Sequence, residues 1–223
     1  MIARLALSLM MTCASLVPAR ACDVALLLAV DVSGSINPLE YKIQMEGLAA
    51  GLRDGVVVEA LVRGQSAVAV MQWTGEGRQD LVLPWTHVRS PADAETLAQA
   101  VEAMPRLWDQ YSTAVGEAML RALDAFESAP TCLRKVVDIS GDGLSNEGVE
   151  PAMVRSTMAR ADVTVNALVI ETNKIDLTAY FHENVITGAG AFVVTANGFL
   201  DYAVRIRQKL IRELARQMSS LGP

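Results

Sequence analysis

Three stretches of this 223-residue chain place oxygen-bearing side chains at spacings that suit a cation. The first is Asp31-Val32-Ser33-Gly34-Ser35, where every second residue carries a carboxylate or a hydroxyl. The second is Thr113 with Gly116, at the expected start of a helix, and the third is Ser140-Gly141-Asp142-Gly143, a carboxylate between two glycines. Asp31, Ser33, Ser35, Thr113 and Asp142 together offer two carboxylates and three hydroxyls. Hard oxygen donors of this kind select Mg²⁺, Mn²⁺ or Ca²⁺ over zinc or copper. The histidines His87 and His182 have no ligand spacing and read as ordinary surface or loop residues, which also disfavours zinc. The alternative is that the same stretches are polar turns that cap helices and hold no ion.

The elements around these stretches must bring them to one place. Asp23–Val30 is a short, nearly unbroken apolar run, as suits a strand buried on both faces of a parallel sheet. Asn37-Pro38-Leu39-Glu40 opens a helix, with Asn37 as cap, Glu40 reaching back to it, and Tyr41, Met45, Leu48 and Leu52 facing the sheet. Ser66–Trp73 reads as a second strand and Arg78–Leu83 as a third. Gly75 and Gly77 make this pair antiparallel at a sheet edge, with Pro84 ending it. The region before the second strand, including Glu59, reads as loop. Helices are expected from Ser90-Pro91, with Leu97 and Val101 inward, and over 114–128, with Met119, Leu123 and Phe126. Others are expected over 148–160, Asp176–Val185 and Phe199–Met218, the last with Ala203, Ile206, Leu210 and Leu214 on one face. Strands are expected at Leu133–Ile139, Val163–Ile170 and Ala191–Thr195. Asp138 interrupts the apolar pattern of its strand; it is expected to pair with Lys135 or Arg134, the alternative being a place near the candidate site.

This alternation predicts an α/β fold, a doubly wound and mostly parallel six-stranded sheet with helices on both faces and one antiparallel edge strand. Ligands of such sheets bind beyond the carboxyl ends of the strands, where the winding reverses. Asp31 and Asp142 stand just after the expected first and fourth strands.

Composition sets the compartment and excludes some partners. Met1–Arg4 carries one positive charge, Leu5–Val17 is apolar or small, and Ala19-Arg20-Ala21 fits a signal-peptidase site, so residues 1–21 read as a secretory signal peptide. Lipidation of Cys22 is the alternative, and Arg20 fits it poorly. Removing 1–21 takes away two arginines and no acid, and shifts the formal charge from -6 to -8. That balance disfavours nucleic acid and anionic membrane as partners. No later segment is long and apolar enough to span a membrane. With no internal repeat or low-complexity linker, 22–218 reads as one domain and 219–223 as a tail. The protein is expected in the periplasm or outside the cell.

The motifs also carry a resemblance. D-x-S-x-S after a buried first strand, then T-x-x-G, then an apolar strand ending in D-G, is similar to the metal-ion-dependent adhesion site of von Willebrand factor A domains. It is matched here by Asp31, Ser33 and Ser35, by Thr113 with Gly116, and by Asp142 with Gly143. The chain further resembles an uncharacterised bacterial family of secreted A-like domains, through 29–35, 137–143, and 183–186 leading to 190–193. The resemblance implies a Rossmann-like von Willebrand A fold. It implies that Ser33, Ser35 and Thr113 ligate Mg²⁺ (or Mn²⁺ or Ca²⁺) directly, and that Asp31 and Asp142 act at least partly through water. It implies a protein partner whose acidic side chain completes the shell. In the strand order of A domains the first and fourth strands are parallel neighbours. Cys22 and Cys132, nine and ten residues before the two aspartates, are then expected to form a disulfide, with free thiols or a lipidated Cys22 as alternatives. The function implied is a non-enzymatic binding module of the bacterial envelope. The alternative is a Mg²⁺-dependent hydrolase of phosphate esters, with Asp31 as nucleophile and Asp142 as metal ligand. No Lys, Arg or His within the motifs serves it as general acid or clamp.

Overall fold

The structure, a computed structural model, describes residues 22–172 and 175–215. The expected signal peptide, the 219–223 tail and residues 216–218, expected to end the last helix, lie outside the described residues. Six strands form the sheet: β1 (Cys22–Asp31), β2 (Ala67–Trp73), β3 (Gln79–His87), β4 (Cys132–Gly141), β5 (Val163–Ile170) and β6 (Val193–Ala196). Their order is β3-β2-β1-β4-β5-β6, and only the β2–β3 pair is antiparallel.

β1 shows how the sequence builds two cores at once. Side chains alternate along a strand, so Val24, Leu26, Leu28 and Val30 enter one layer, and Ala25, Leu27 and Ala29 the other. The first layer is closed by α1 (Pro38–Leu52), α2 (Gly55–Arg63), α3 (Pro91–Glu102) and α7 (Tyr202–Ala215). The second is closed by α4 (Val115–Ala125), α5 (Pro151–Arg160) and α6 (Leu177–Asn184). Each leucine buried this way contributes about 1.5–3 kcal/mol. Alanines 25, 29, 69, 118 and 122 thin the second layer, so α4 lies close on the sheet.

Local signals fix the helix that leaves the site. Asn37 Oδ1 accepts from the Leu39 and Glu40 amides at 2.9 and 3.0 Å, and Glu40 Oε2 accepts from the Asn37 amide at 2.8 Å. This is the expected capping box, with Pro38 in the first turn.

Four expectations need correction. The stretch before β2 is helical as α2, capped by Asp54, whose carboxylate accepts from the Val56 and Val57 amides. Its run of β-branched valines lowers helix propensity, but burial of Val57 and Leu61 one turn apart outweighs this. Glu59 is thus on a helix, paired with Arg63. β3 continues past Pro84 to His87, because the register shifts there and the proline lies exposed on an edge strand, where no ladder amide is required of it. On α7, Ile206, Leu210 and Leu214 are buried but Ala203 is exposed; the preceding Tyr202 fills the core instead. Asp138 pairs with neither Lys135 nor Arg134 but with Lys209 of α7, both fully enclosed between helix and sheet.

Candidate metal centre

All the candidate donors lie at the carboxyl edge of the parallel strands. Asp31 is the last residue of β1 and is completely buried. Its Oδ1 accepts the Ser33 amide at 2.7 Å. Its Oδ2 is buried with no hydrogen-bond partner, and faces Gly141, where a Cβ would stand 3.0 Å from it. Ser33 Oγ lies 3.3 Å from Ser35 Oγ, and Ser35 Oγ donates to Asp142 Oδ1 at 2.6 Å. The ends of β1 and β4 are thereby drawn onto one point. Thr113 comes from the turn into α4, and its Oγ1 lies 3.7 Å from where a Cβ on Gly143 would stand. The structure therefore gathers all five candidate residues around one edge.

The surrounding loops explain this convergence. Gly34 is needed for close approach: its amide donates to the Tyr111 carbonyl at 2.8 Å, and a Cβ would sit 3.0 Å from Gln110 Cα. Thr113 is gripped from the loop after β4, since Asn146 Oδ1 accepts its amide and the Asn146 amide donates to its carbonyl, both at 2.9 Å. Thr74, just after β2, accepts the Ala114 amide through its carbonyl and donates its hydroxyl to the Ser112 carbonyl. Sequence reasoning missed Thr74, Asn146 and Arg106, whose Nη2 donates to the carbonyls of Val32 and Ser33, each at 2.9 Å. Asn146 follows the D-G turn closely enough to have been read as part of it. Arg106 had no local signal.

Electrostatics decide what the site accepts. Burial, and then the charge of Asp142, raise the Asp31 carboxyl to about 7. Burial also raises Asp142, against the hydrogen bond from Ser35, and Glu40 pushes the same way as burial. Two carboxylates thus stand with too little positive charge near them. An orphaned buried oxygen, uncompensated charge and an all-oxygen donor set fit a hard divalent cation. Among the described residues no group of three or more His, Cys, Asp or Glu is placed to hold a metal, so an ion here would depend on hydroxyl donors beside the two carboxylates. His87 sits at the opposite end of the sheet, across from Ala67.

A six-stranded sheet in this order, with a single antiparallel edge, is the sheet of von Willebrand A-type domains, and solved structures of that class superpose on it. Proximal thread matrix protein 1 from the mussel byssus matches with a TM-score of 0.67 at 19% identity, over 87% of this chain and 48% of that one. A second structure of it, described as having a zinc-occupied MIDAS motif, matches at 0.66 and 22% identity, over 87% and 49%. The von Willebrand domain of the type V pilus tip protein Mfa5 from Porphyromonas gingivalis matches at 0.62 and 10% identity, over 88% and 96%. The chain thus spans about half the length of the mussel protein's chain. At these identities the likeness is one of fold. Residues 21–218 match the family described as "Protein of unknown function (DUF1194)", and the chain belongs to that family. No curated protein matches it.

Proposed function

We propose that this protein is a divalent-metal-dependent protein-binding module, an adhesion or scaffold domain of the bacterial cell envelope, with Asp31, Ser33, Ser35, Thr113 and Asp142 holding the ion. The observation that carries this is the linked set Asp31, Ser33, Ser35 and Asp142 at the strand ends, beside a buried Asp31 oxygen that has no hydrogen-bond partner among the described residues. When bound, the ion supplies a Lewis-acidic position that attracts an acidic side chain of the partner. The chain's own residues do the rest. The serine hydroxyls are neutral and leave the ion's charge largely intact, and burial of Asp31 keeps the local dielectric low, which strengthens attraction to an incoming carboxylate.

A protein partner is favoured by the rim. Leu39 in the first turn of α1, and Leu107 and Tyr111 in the segment leading to Thr113, are exposed apolar side chains at the same edge, at 65%, 43% and 42%. Arg78 stacks on the Tyr111 ring at 4.0 Å. Such a surface suits a macromolecular contact better than a small acid. Pilus and byssus proteins among the structural neighbours are in keeping with this reading. So is export through residues 1–21 to the periplasm or beyond, where a Cys22–Cys132 disulfide persists. The hydrolase alternative gains no support. Asp31 is enclosed with one oxygen already committed to a backbone amide, a poor position for a nucleophile.

The test is calorimetric titration of Mg²⁺, Mn²⁺, Ca²⁺ and Zn²⁺ into the mature protein, followed by capture from envelope extract in Mg²⁺ and in chelator. One ion per chain, lost in Asp31→Ala, and a partner retained only with metal, is the expected result. Absence of binding by every ion at millimolar concentration would end this reading.

A further inference from the structure

The segment between α3 and α4 has no regular secondary structure, yet it is tied down along its length. Tyr41 Oη donates to the Met104 carbonyl at 3.0 Å. Gln72 of β2, fully buried, donates to the Pro105 carbonyl at 2.9 Å and accepts the Leu107 amide at 2.8 Å. Tyr111 and Ser112 are held through their carbonyls by Gly34 and Thr74. Of this segment's side chains, Arg106 is the one that donates into the Asp31–Ser35 loop.

Its geometry is informative. In an extended strand successive carbonyls point to opposite sides, as successive side chains do. Here the consecutive carbonyls of Val32 and Ser33 both accept from one nitrogen, Arg106 Nη2. That is possible only where the chain bends out of the strand, and this bend sets Ser33 Oγ beside Ser35 Oγ, which in turn reaches Asp142. The same two hydrogen bonds commit these carbonyls to a cation of the protein's own, so that side-chain oxygens are what remain for an external ion.

We propose that Arg106 is a positioning residue for the metal centre, clamping the Val32–Ser33 bend so that the two serine hydroxyls converge before any ion arrives. This rests on the metal-site reading above. Tyr41 and Gln72 hold the segment from behind and fix where Arg106 begins. A guanidinium suits the task because it is planar, permanently charged and less strongly hydrated than an ammonium.

The experiment titrates Mn²⁺ into mature wild-type protein, Arg106→Gln and Arg106→Leu, reading free Mn²⁺ by electron paramagnetic resonance. Melting temperature in chelator is recorded for each. Loss of two charge-assisted hydrogen bonds should weaken Mn²⁺ binding by about tenfold or more, while the melting temperature in chelator stays close to that of wild type. Leu keeps the apolar stem, so if Gln does not fold, Leu carries the test. Wild-type Mn²⁺ affinity in a folded variant overturns the proposal, as does a large drop in melting temperature with affinity retained. If wild type itself binds none of Mn²⁺, Mg²⁺, Ca²⁺ and Zn²⁺, the metal-site reading fails, and the two failures are distinguishable.

Discussion

Cys22 and Cys132 stand opposite each other in register on β1 and β4, joined by a disulfide with their Cα atoms 4.3 Å apart. The bond closes a loop of 110 residues that contains β2, β3 and four helices. In the chain-entropy model so long a loop stabilises by roughly 4–5 kcal/mol. The double variant Cys22→Ser/Cys132→Ser should therefore lower the urea midpoint substantially, while oxidised protein shows no titratable thiol under denaturing conditions. Two free thiols in exported protein would refute the pairing.

The ion should tighten the site without creating the fold. Both apolar layers close without it, in contrast to a small domain that needs its metal to collapse. Chelator should lower the melting temperature modestly, by the mass-action amount set by ion concentration and affinity, about 2.7 kcal/mol at a hundredfold excess over Kd. Far-ultraviolet circular dichroism at room temperature should be unchanged. Global unfolding on chelation would contradict this.

Individual donors should differ in effect. Ser33→Ala with Ser35→Ala removes the two hydroxyls nearest the Asp31–Asp142 gap and should abolish partner binding with the fold intact. Thr113→Ala removes one donor of several and should only weaken it, since the Thr113 backbone stays held by Asn146. Asp142→Ala should lower metal affinity first and partner binding as a consequence. Glu59→Ala, on α2, should change nothing. Calorimetry with the captured partner, in Mg²⁺ and in chelator, checks all four, and equal affinities throughout would place the partner elsewhere.

The contrast between Asp31 and Asp138 shows what the sequence could reveal. The place of Asp31 at the end of β1 was legible because its signal is local: an unbroken apolar strand, then oxygen donors at alternate positions, then a capping box. The antiparallel edge and the inward faces of α1 and α3 followed from the same kind of short-range pattern, whereas the neighbouring of the first and fourth strands was implied only by the resemblance to A domains. Asp138 stood out as an anomaly, but its partner comes from a helix about seventy residues later, and nothing near it in the chain indicates Lys209. Arg106 was illegible for a related reason. It sits in a segment without periodicity, and its role exists only once β2 and α1 have fixed that segment beside β1. α2 was hidden because its valines speak for a strand until the Asp54 cap and the burial of Val57 and Leu61 are seen.

A pH dependence of stability should come from the buried cluster beneath α7. Lys209 Nζ lies 2.5 Å from Asp138 Oδ1 and 2.7 Å from Glu213 Oε1, so one ammonium serves two carboxylates. Asn166 of β5 donates to Glu213 Oε1 at 2.9 Å, Arg134 of β4 donates to the Glu213 backbone carbonyl, and Tyr202 is buried beside Asp138. Glu213 Oε2 has no hydrogen bond. Burial first, then the Asp138 charge, raises the Glu213 carboxyl to about 7, against Lys209 and Asn166. Its folded pKa thus exceeds its unfolded one, near 4.3, and the folded state binds more protons between the two. This contribution is fully present below the unfolded pKa and is lost as pH rises toward about 7, by at most about 1.4 kcal/mol per unit. Thermal melts of wild type and Glu213→Gln across this range, both in saturating Mg²⁺, should diverge, with the variant flatter. Parallel profiles would show that Glu213 titrates normally.

The interruption of β3 at Pro84 bears on how copies of this protein meet one another. An open sheet has two edges, and each is a template onto which another chain can zip by backbone pairing. β6 offers only four residues. β3 is nine residues long and would be the greater hazard, but Pro84, a residue without an amide proton set where the register shifts, interrupts its run of backbone donors. The longer edge is thereby a poorer template for pairing between copies than its nine residues alone would make it.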